Sequence, residues 1–571
     1  MLVAINARYI HTNLAVRGIT SCCKDAGLDV TFVETTINNS IKSILSELHS
    51  EDANIYIFSC YIWNVHIVER LVSDLRKIVP HAYIGVGGPQ VSFESRSYLE
   101  KNLDVDFVVC GEGEDVVPEV IRTLQNEGAI GFMKGLTIRE GADIKEGGMA
   151  EKVKLDKLPF AYEDLNEVKD RIIYYESMRG CPFSCSYCLS GSDREVRVKE
   201  ISLVYVELKR FLMAKVKQVK FVDRTFNSNK EHAMAIWRYL IENDNGVTNF
   251  HFELSGELID DDMIRILKQA RKGLLQFEIG VQSTNERTLN AIYRKSDFGE
   301  LSKRIEILRS LGNVEYHLDL ISGLPYEDFQ SFAKSFNDVY ELAPTQLHFG
   351  FLKILSGSKI EQETIQHEIV YSQYSPFEVL STKWLSYKDI YTLHGIEGIV
   401  DIYYNSGRFV NILKYLLEHF NNPFSLYHAL WLIYEERGYD KASISGIAQY
   451  ELLYDLMKAN DIAVNDRAKF GCKVDILNME KLRKLPKWID VDYTHAYGDS
   501  IHEFLLDENM LAKYIPEYVG LRPQGITKTV HIEILPFDID TGCEGVTAVI
   551  FDYKNKKVCR VPVNIGNMEI G

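Results

Sequence analysis

No window of this 571-residue chain contains the ~20 consecutive apolar residues that a membrane-crossing helix needs. The opening Met-Leu-Val-Ala-Ile-Asn-Ala-Arg lacks the charged-then-apolar order of a secretory leader. There is no low-complexity tract, and no surplus of positive charge: 64 basic residues stand against 81 acidic ones, a net charge of −17. That balance disfavours wholesale binding to a phosphate backbone, where affinity comes from neutralising phosphates with Lys and Arg. Ten cysteines in a long chain without a leader do not read as a disulfide framework. The expectation is a soluble cytoplasmic protein whose thiolates stay reduced, with about three or four domains by length.

What is present is concentrated in one loop. Cys181, Cys185 and Cys188 lie in Met178-Arg-Gly-Cys-Pro-Phe-Ser-Cys-Ser-Tyr-Cys-Leu-Ser-Gly191 with C-x3-C-x2-C spacing. A structural zinc site normally takes four ligands, often as two separated pairs, and no second pair follows at a suitable distance. Three thiolates suffice to hold three irons of a four-iron four-sulfur cluster, normally a four-cysteine group, leaving one iron open to a small molecule. The motif, with Tyr187 just before the third cysteine, resembles the signature of the radical S-adenosylmethionine enzymes. The resemblance implies that the cofactor's amino and carboxylate groups chelate the open iron. It also implies oxygen sensitivity, an anaerobic or facultative host, and an electron donor such as flavodoxin or ferredoxin.

Ahead of this loop, short apolar runs at 2–5, 30–33, 55–58, 82–86 and 107–109 alternate with amphipathic stretches. Such alternation predicts an α/β fold, a doubly wound parallel sheet, in which ligands bind beyond the carboxyl ends of the strands. The strand-end segments Asn6-Ala-Arg-Tyr-Ile-His-Thr-Asn-Leu14, Ser59-Cys-Tyr-Ile-Trp-Asn64, Gly87-Gly-Pro-Gln-Val-Ser92 and Gly111-Glu-Gly-Glu114 together resemble the cobalamin-binding domain fused to many radical S-adenosylmethionine enzymes. On that resemblance the candidate cobalamin contacts are Tyr9, His11, Asn13, Leu14, Ser59, Tyr61, Trp63, Gly87, Gly88, Glu112 and Gly113. The Asp-x-His-x-x-Gly motif that supplies a cobalt-ligating histidine elsewhere is missing, so cobalamin is expected base-off without a histidine ligand. His11 reads as a loop hydrogen-bonding residue. Cys22, Cys23, Cys60 and Cys110 do not match the second cluster of the methylthiotransferases and read as small buried apolar residues.

After a linker at 146–172, a second alternating series begins, with strands expected at 173–176, 218–222, 250–254, 275–281, 316–321 and 347–352. Six such units predict a partial (β/α)6 barrel over 173–365 with its site at the C-terminal strand ends. The resemblance, which spans roughly residues 1–360, places Asp223 by the cofactor's amino group and Glu257, Glu278, Gln282 and Ser283 by its ribose or carboxylate. Lys353 is a candidate partner for the methionine carboxylate, and Gly323-Leu-Pro325 for a turn beneath the adenine. Capping and salt-bridge roles remain the alternative for each of these residues, because ion pairs also collect at strand ends.

Residues 366–571 change character: helical patterns rich in Tyr, Leu and Ile at 380–395, 396–417 and 423–436, then strands at 527–535, 545–552 and 557–563. Ile396-Glu-Gly-Ile-Val-Asp-Ile-Tyr-Tyr-Asn-Ser-Gly-Arg-Phe409 resembles an uncharacterised domain appended to one subgroup of these enzymes, expected to cap the barrel mouth. With domains at 1–145, 173–365 and 366–571, the leading expectation is an enzyme using a four-iron four-sulfur cluster, S-adenosylmethionine and cobalamin to methylate an sp3 carbon of a small-molecule substrate. Cyclisation, rearrangement or reduction without methyl transfer, tRNA modification, and non-catalytic cofactor sensing stay open as alternatives.

Overall fold

The computed structural model describes every residue except 128, 442–443, 480–484, 540, 542–543 and 563–571. The chain divides into two units, Met1–Ile390 and Tyr391–Gly571.

The first unit opens with strands β1 (Leu2–Asn6), β2 (Phe32–Thr36), β3 (Ile55–Ser59), β4 (Tyr83–Gly87), β5 (Phe107–Val109), β6 (Leu136–Glu140) and β7 (Asp143–Glu146). They form one sheet in the order β2-β1-β3-β4-β5-β6-β7. The first five strands are parallel and the last two antiparallel. Helices such as Val65–Ile78 and Gly113–Glu127 cover both faces, which is why Val3, Ile57, Phe58, Ile84 and Val108 are all buried. The chain reverses its winding between β1 and β3, so the loops after these two strands diverge and open a crevice there.

The barrel strands follow: β8 (Ile172–Tyr175), the short pair β9 (Met178–Arg179) and β10 (Arg197–Val198), then β11 (Gln218–Phe221), β12 (Asn249–Leu254), β13 (Leu275–Gln282), β14 (Glu315–Ser322) and β15 (Gln346–Phe351). Six of them form a parallel sheet in the order β15-β14-β13-β12-β11-β8. Strand alternation explains the curvature of function as well as of shape. On β13, Leu275, Phe277, Ile279 and Val281 are at most 1% exposed beneath the outer helices, while Gln276, Glu278, Gly280 and Gln282 face the concave side. The edge strand β8 is covered from the first sheet. Ile172 donates its N–H to Ile10 O at 2.8 Å, and Thr12 N–H donates back to Ile172 O at 3.2 Å. A small pair, β16 (Val370–Tyr371) and β17 (Val379–Ser381), completes this unit.

The second unit holds helices Val410–Leu417, Pro423–Glu436, Gly446–Ala459 and Asp466–Met479, then an antiparallel sheet of β18 (Val530–Phe537), β19 (Glu544–Asp552) and β20 (Lys557–Pro562). Residue 563, expected to end the last strand, lies outside the described residues. The helical stretch expected over 396–417 is broken by a π-helical turn at Asp401–Asn405 and by Gly407 at φ +66°, a left-handed conformation that glycine adopts freely.

Asp475 caps the helix that follows this break. Its carboxylate accepts from Asn411 N (3.0 Å), Ile412 N (3.0 Å) and Asn411 Nδ2 (2.6 Å). Burial pushes its pKa up to about 7, against the pull of those donors. The folded pKa lies above the unfolded value, so the folded chain binds a proton more readily as pH falls. Stability contributed by this group is therefore gained on acidification and lost as pH rises toward 7. Thermal unfolding of the full chain should show wild type gaining on Asp475→Asn by a few degrees between about pH 8 and about pH 5. A pH-independent difference would contradict the assignment.

Candidate functional site

The cysteine loop is built by backbone closure. Gly180 sits at φ +99°, and a Cβ there would lie 2.1 Å from Glu195 O, so the returning chain passes directly beneath a residue that only glycine can supply. Cys181 N–H donates to Asp193 O at 3.0 Å, and Lys199 N–H to Ser177 O at 2.8 Å. Midway, Ser186 N–H donates to Ile292 O (3.0 Å) and Ser186 O accepts from Ile360 N (2.9 Å), tying the loop to the barrel rim.

Cys181 and Cys185 are 8% and 9% exposed, and Cys188 is half-buried. Among the described residues, no three His, Cys, Asp or Glu side chains converge on a single-ion site. Arg294, which composition and spacing did not single out, comes within 4.0 Å of Cys185 Sγ and donates to Gly280 O. No carboxylate forms an ion pair with it among the contacts of this site, and its Nε has no hydrogen-bond partner. A buried guanidinium not in contact with a carboxylate calls for another anion nearby, and the Cys185 thiolate, with Glu257 acting from farther off, fits that need. Burial raises the Cys185 thiol pKa while Arg294 and the Tyr187 hydroxyl oppose the rise. Tyr187 itself is pushed upward by burial.

The structure turns several expected cofactor contacts inward. Asp223 is fully buried, and its carboxylate accepts from Ser177 N (2.9 Å), Met178 N (3.1 Å) and the Ser177 hydroxyl (2.5 Å). It braces the approach to the cysteine loop, and burial lifts its pKa to about 7. Ser283, 1% exposed, donates to Glu327 Oε1 at 2.6 Å beneath the Gly323-Leu-Pro325 turn. Glu327 is likewise buried, with its pKa pushed up to about 7. Glu278 stands mid-strand between Lys220 (2.9 Å) and His251 (3.1 Å). Glu257 stays on the rim, accepting from Ser255 Oγ at 2.8 Å and from Ser296. Gln282 takes φ +71° at a bulge, and its amide folds over Gly280, where a Cβ would lie 2.1 Å from Gln282 Nε2. Lys353 is exposed just past β15, bridged through its backbone to Glu378.

Below the rim lies a cavity of ≈750 Å³ walled by Lys220, His251, Glu278, His317, Asp319 and His348. Complete barrels fill this space with branched apolar side chains; here the inward positions are polar. Burial, then His348 and His251, lower the His317 pKa to about 4, so it is neutral at physiological pH. Burial, then Glu278, raises the Asp319 carboxyl. These histidines were missed in sequence because their grouping arises only when β12 to β15 are laid in order in one sheet.

At the first sheet, the expected cobalamin residues divide. Tyr61 and Trp63 stack at 4.4 Å and 5° beyond β3, with Trp63 38% exposed and its Nε1 donating to Ile5 O at 3.1 Å. Ser59 ends β3 and donates weakly to Val3 O at 3.4 Å. Gly87 ends β4, and Gly88 follows at φ +111° with Cys60 O only 2.5 Å from where its Cβ would be. Gly113 begins its helix 2.9 Å, by the same measure, from Ile19 Cδ1. The β1 loop instead faces the barrel. His11 Nδ1 lies 2.6 Å from the Tyr174 hydroxyl, and the Arg171 guanidinium sits 5.4 Å over the otherwise exposed Tyr9 ring. Asn13 caps the helix beginning at the half-buried Leu14, accepting from Val16 N at 3.0 Å. Glu112 is taken up by Arg197, Arg179 and Val153 N.

Residues 1–121 match the family model "B12 binding domain", 175–339 "Radical SAM superfamily", and 365–551 "Protein of unknown function (DUF4080)". The cobalamin-dependent radical SAM methyltransferase TokK of Streptomyces tokunonensis is 25% identical over 319 residues, covering 51% of this chain and 45% of that protein. The hopanoid C-3 methylase of Methylococcus capsulatus is 24% identical over 309 residues, 52% and 59% of the two chains. An anaerobic magnesium-protoporphyrin IX monomethyl ester cyclase of Synechocystis sp. is 28% identical over 258 residues, 43% and 50%. The chain thus spans about half the length of the curated relatives it matches. The fold is that of the cobalamin-dependent radical enzyme OxsB with aqua-cobalamin and S-adenosylmethionine bound: TM-score 0.58 at 15% identity, over 84% of this chain and 78% of that one. TsrM from Kitasatospora setae has a TM-score of 0.55 at 16% identity, over 64% and 76%. This chain joins a B12-binding domain, a radical SAM domain and a DUF4080 domain. No helix among the described residues is long and apolar enough to cross a membrane.

Proposed function

We propose that this protein is a cobalamin-dependent radical S-adenosylmethionine methyltransferase acting on an unactivated carbon of a small polar molecule. The observation that carries this reading is a three-thiol loop whose Cys185 lies beside a buried arginine not in ion-pair contact with any carboxylate among the described residues, closed onto the rim of a polar chamber. A four-iron four-sulfur cluster bound there supplies the electron that cleaves S-adenosylmethionine, and cobalamin supplies the methyl carrier.

The chain's own residues bind and orient. Cys181, Cys185 and Cys188 hold the cluster, Arg294 balances the thiolate charge, and Tyr187 shields Cys185 from water. Glu257 and Gln282, on the rim, are placed for the nucleoside, and Lys353 for the methionine carboxylate. Tyr61, Trp63, Gly87 and Gly88 offer a flat surface with close backbone approach for the corrin ring. On the chamber wall His251 and His317, whose pKa values burial lowers, offer neutral donors and acceptors suited to a hydrogen-bonding substrate rather than a hydrocarbon. His11 is engaged by Tyr174, which supports cobalamin held base-off without a histidine ligand.

The test is anaerobic reconstitution with iron, sulfide and cobalamin, followed by reduction and addition of S-adenosylmethionine. Both 5′-deoxyadenosine and S-adenosylhomocysteine are expected, with a Co(II) resonance free of nitrogen splitting from a protein histidine. Zinc or no metal in the purified loop would sink the reading. The cyclase relative, at 28% identity, favours one alternative: the same cofactors without methyl transfer. 5′-Deoxyadenosine without S-adenosylhomocysteine would select it.

A further inference from the structure

β9 and β10 form a two-residue antiparallel ladder at the base of residues 180–196, the segment that carries all three cysteines. Its pairs are Met178 with Val198 and Arg179 with Arg197. Like charges directly opposite on a ladder repel, so this clasp is destabilising as its own sequence stands.

The neutralising charge comes from the first sheet. Glu112, in the loop after β5, receives Arg197 through both guanidinium Nη atoms and lies 3.2 Å from Arg179 Nη1. Its own position is fixed by Val153 N at 2.7 Å. Arg179 also reaches Glu114 at 2.7 Å and Glu176 at 2.6 Å, whereas among the described residues Arg197 otherwise meets Val153 O (2.9 Å) and Asp193 (3.4 Å). Glu112 is thus the one carboxylate in this network that touches both arginines. The side chains of Glu112, Arg179 and Arg197 are 17%, 21% and 15% exposed, so solvent screens them only in part.

We propose that Glu112 is a positioning residue that keeps the cysteine loop shut: by bridging Arg179 and Arg197 it makes retention of the cluster depend on the cobalamin-side loop of the first sheet. This rests on the reading that the loop holds an iron–sulfur cluster. It also departs from the expectation that Glu112 contacts cobalamin.

The test compares full-length wild type with Glu112→Gln after anaerobic reconstitution, following iron release to bathophenanthroline disulfonate and, separately, cobalamin affinity. Iron release should quicken about tenfold, equivalent to ~1.4 kcal/mol, with cobalamin affinity unchanged. Glu114→Gln, which leaves the Arg179–Arg197 bridge intact, should release iron at close to the wild-type rate. Glu112→Gln combined with Arg197→Gln should recover most of the retention, because one of the two facing charges is gone. That rescue also separates charge neutralisation from simple misfolding. Wild-type iron release from Glu112→Gln, no rescue in the double variant, or a fall in cobalamin affinity with the cluster unaffected would each overturn the proposal. Absence of iron from reconstituted wild type would instead defeat the functional reading beneath it.

Discussion

Replacing any one of Cys181, Cys185 and Cys188 with alanine should reduce 5′-deoxyadenosine formation by about four orders of magnitude, to background. Each thiolate anchors one iron in this reading. Among the described residues no three His, Cys, Asp or Glu side chains converge on a single-ion site that could take the iron over. The loop's fold should survive the change, because its closure runs through Gly180 and the backbone bonds with Asp193, Ile292 and Ile360 rather than through the thiols. Iron content and cluster absorbance should therefore fall while circular dichroism and solubility stay as in wild type. Undiminished 5′-deoxyadenosine from any of the three variants would remove that cysteine from the assignment.

Gly88→Ala should weaken cobalamin binding by about a hundredfold, or ~2.7 kcal/mol, while leaving iron content unchanged. At φ +111° and ψ 172° this residue occupies a region that is nearly closed to residues bearing a Cβ; such conformations cost about 1–3 kcal/mol. The added carbon would also lie 2.5 Å from Cys60 O and 3.1 Å from Cys60 N. Cys60 N–H in turn donates to Gly87 O at 2.7 Å, so the overlap falls where the ends of β3 and β4 are joined. Relief requires the segment carrying Tyr61 and Trp63 to move. Spectroscopic titration with cobalamin measures the effect, and wild-type affinity would show that the ligand does not use this end of the sheet.

Much of this architecture was legible in the linear chain because its strands carry strong apolar signals on the faces that helices cover. The run expected at 275–281 emerges as Leu275–Gln282, and that at 316–321 as Glu315–Ser322. The cysteine trio was equally plain, since its chemistry is local. Residues whose meaning depends on a distant partner were harder to read. Asp223 and Ser283 look like rim ligands by position, yet Ser177 and Glu327 draw them into the interior. Arg294 looks like an ordinary surface base until Ile292 and Gly280 place it beside a thiol. His251, His317 and His348 are 97 residues apart from first to last by number, and only the side-by-side strands bring their rings within 6.0 Å and 5.5 Å of one another. The antiparallel pair β6 and β7 escaped notice because its strands are short and carry polar residues on an exposed edge.

The seam formed by residues 10–12 along β8 has a consequence for how this molecule can be divided. A barrel cut free of the preceding sheet would bare a rim of amide and carbonyl groups at Ile172, the sort of raw margin onto which a stray chain can zip. The two cofactor modules are therefore grafted along a common border.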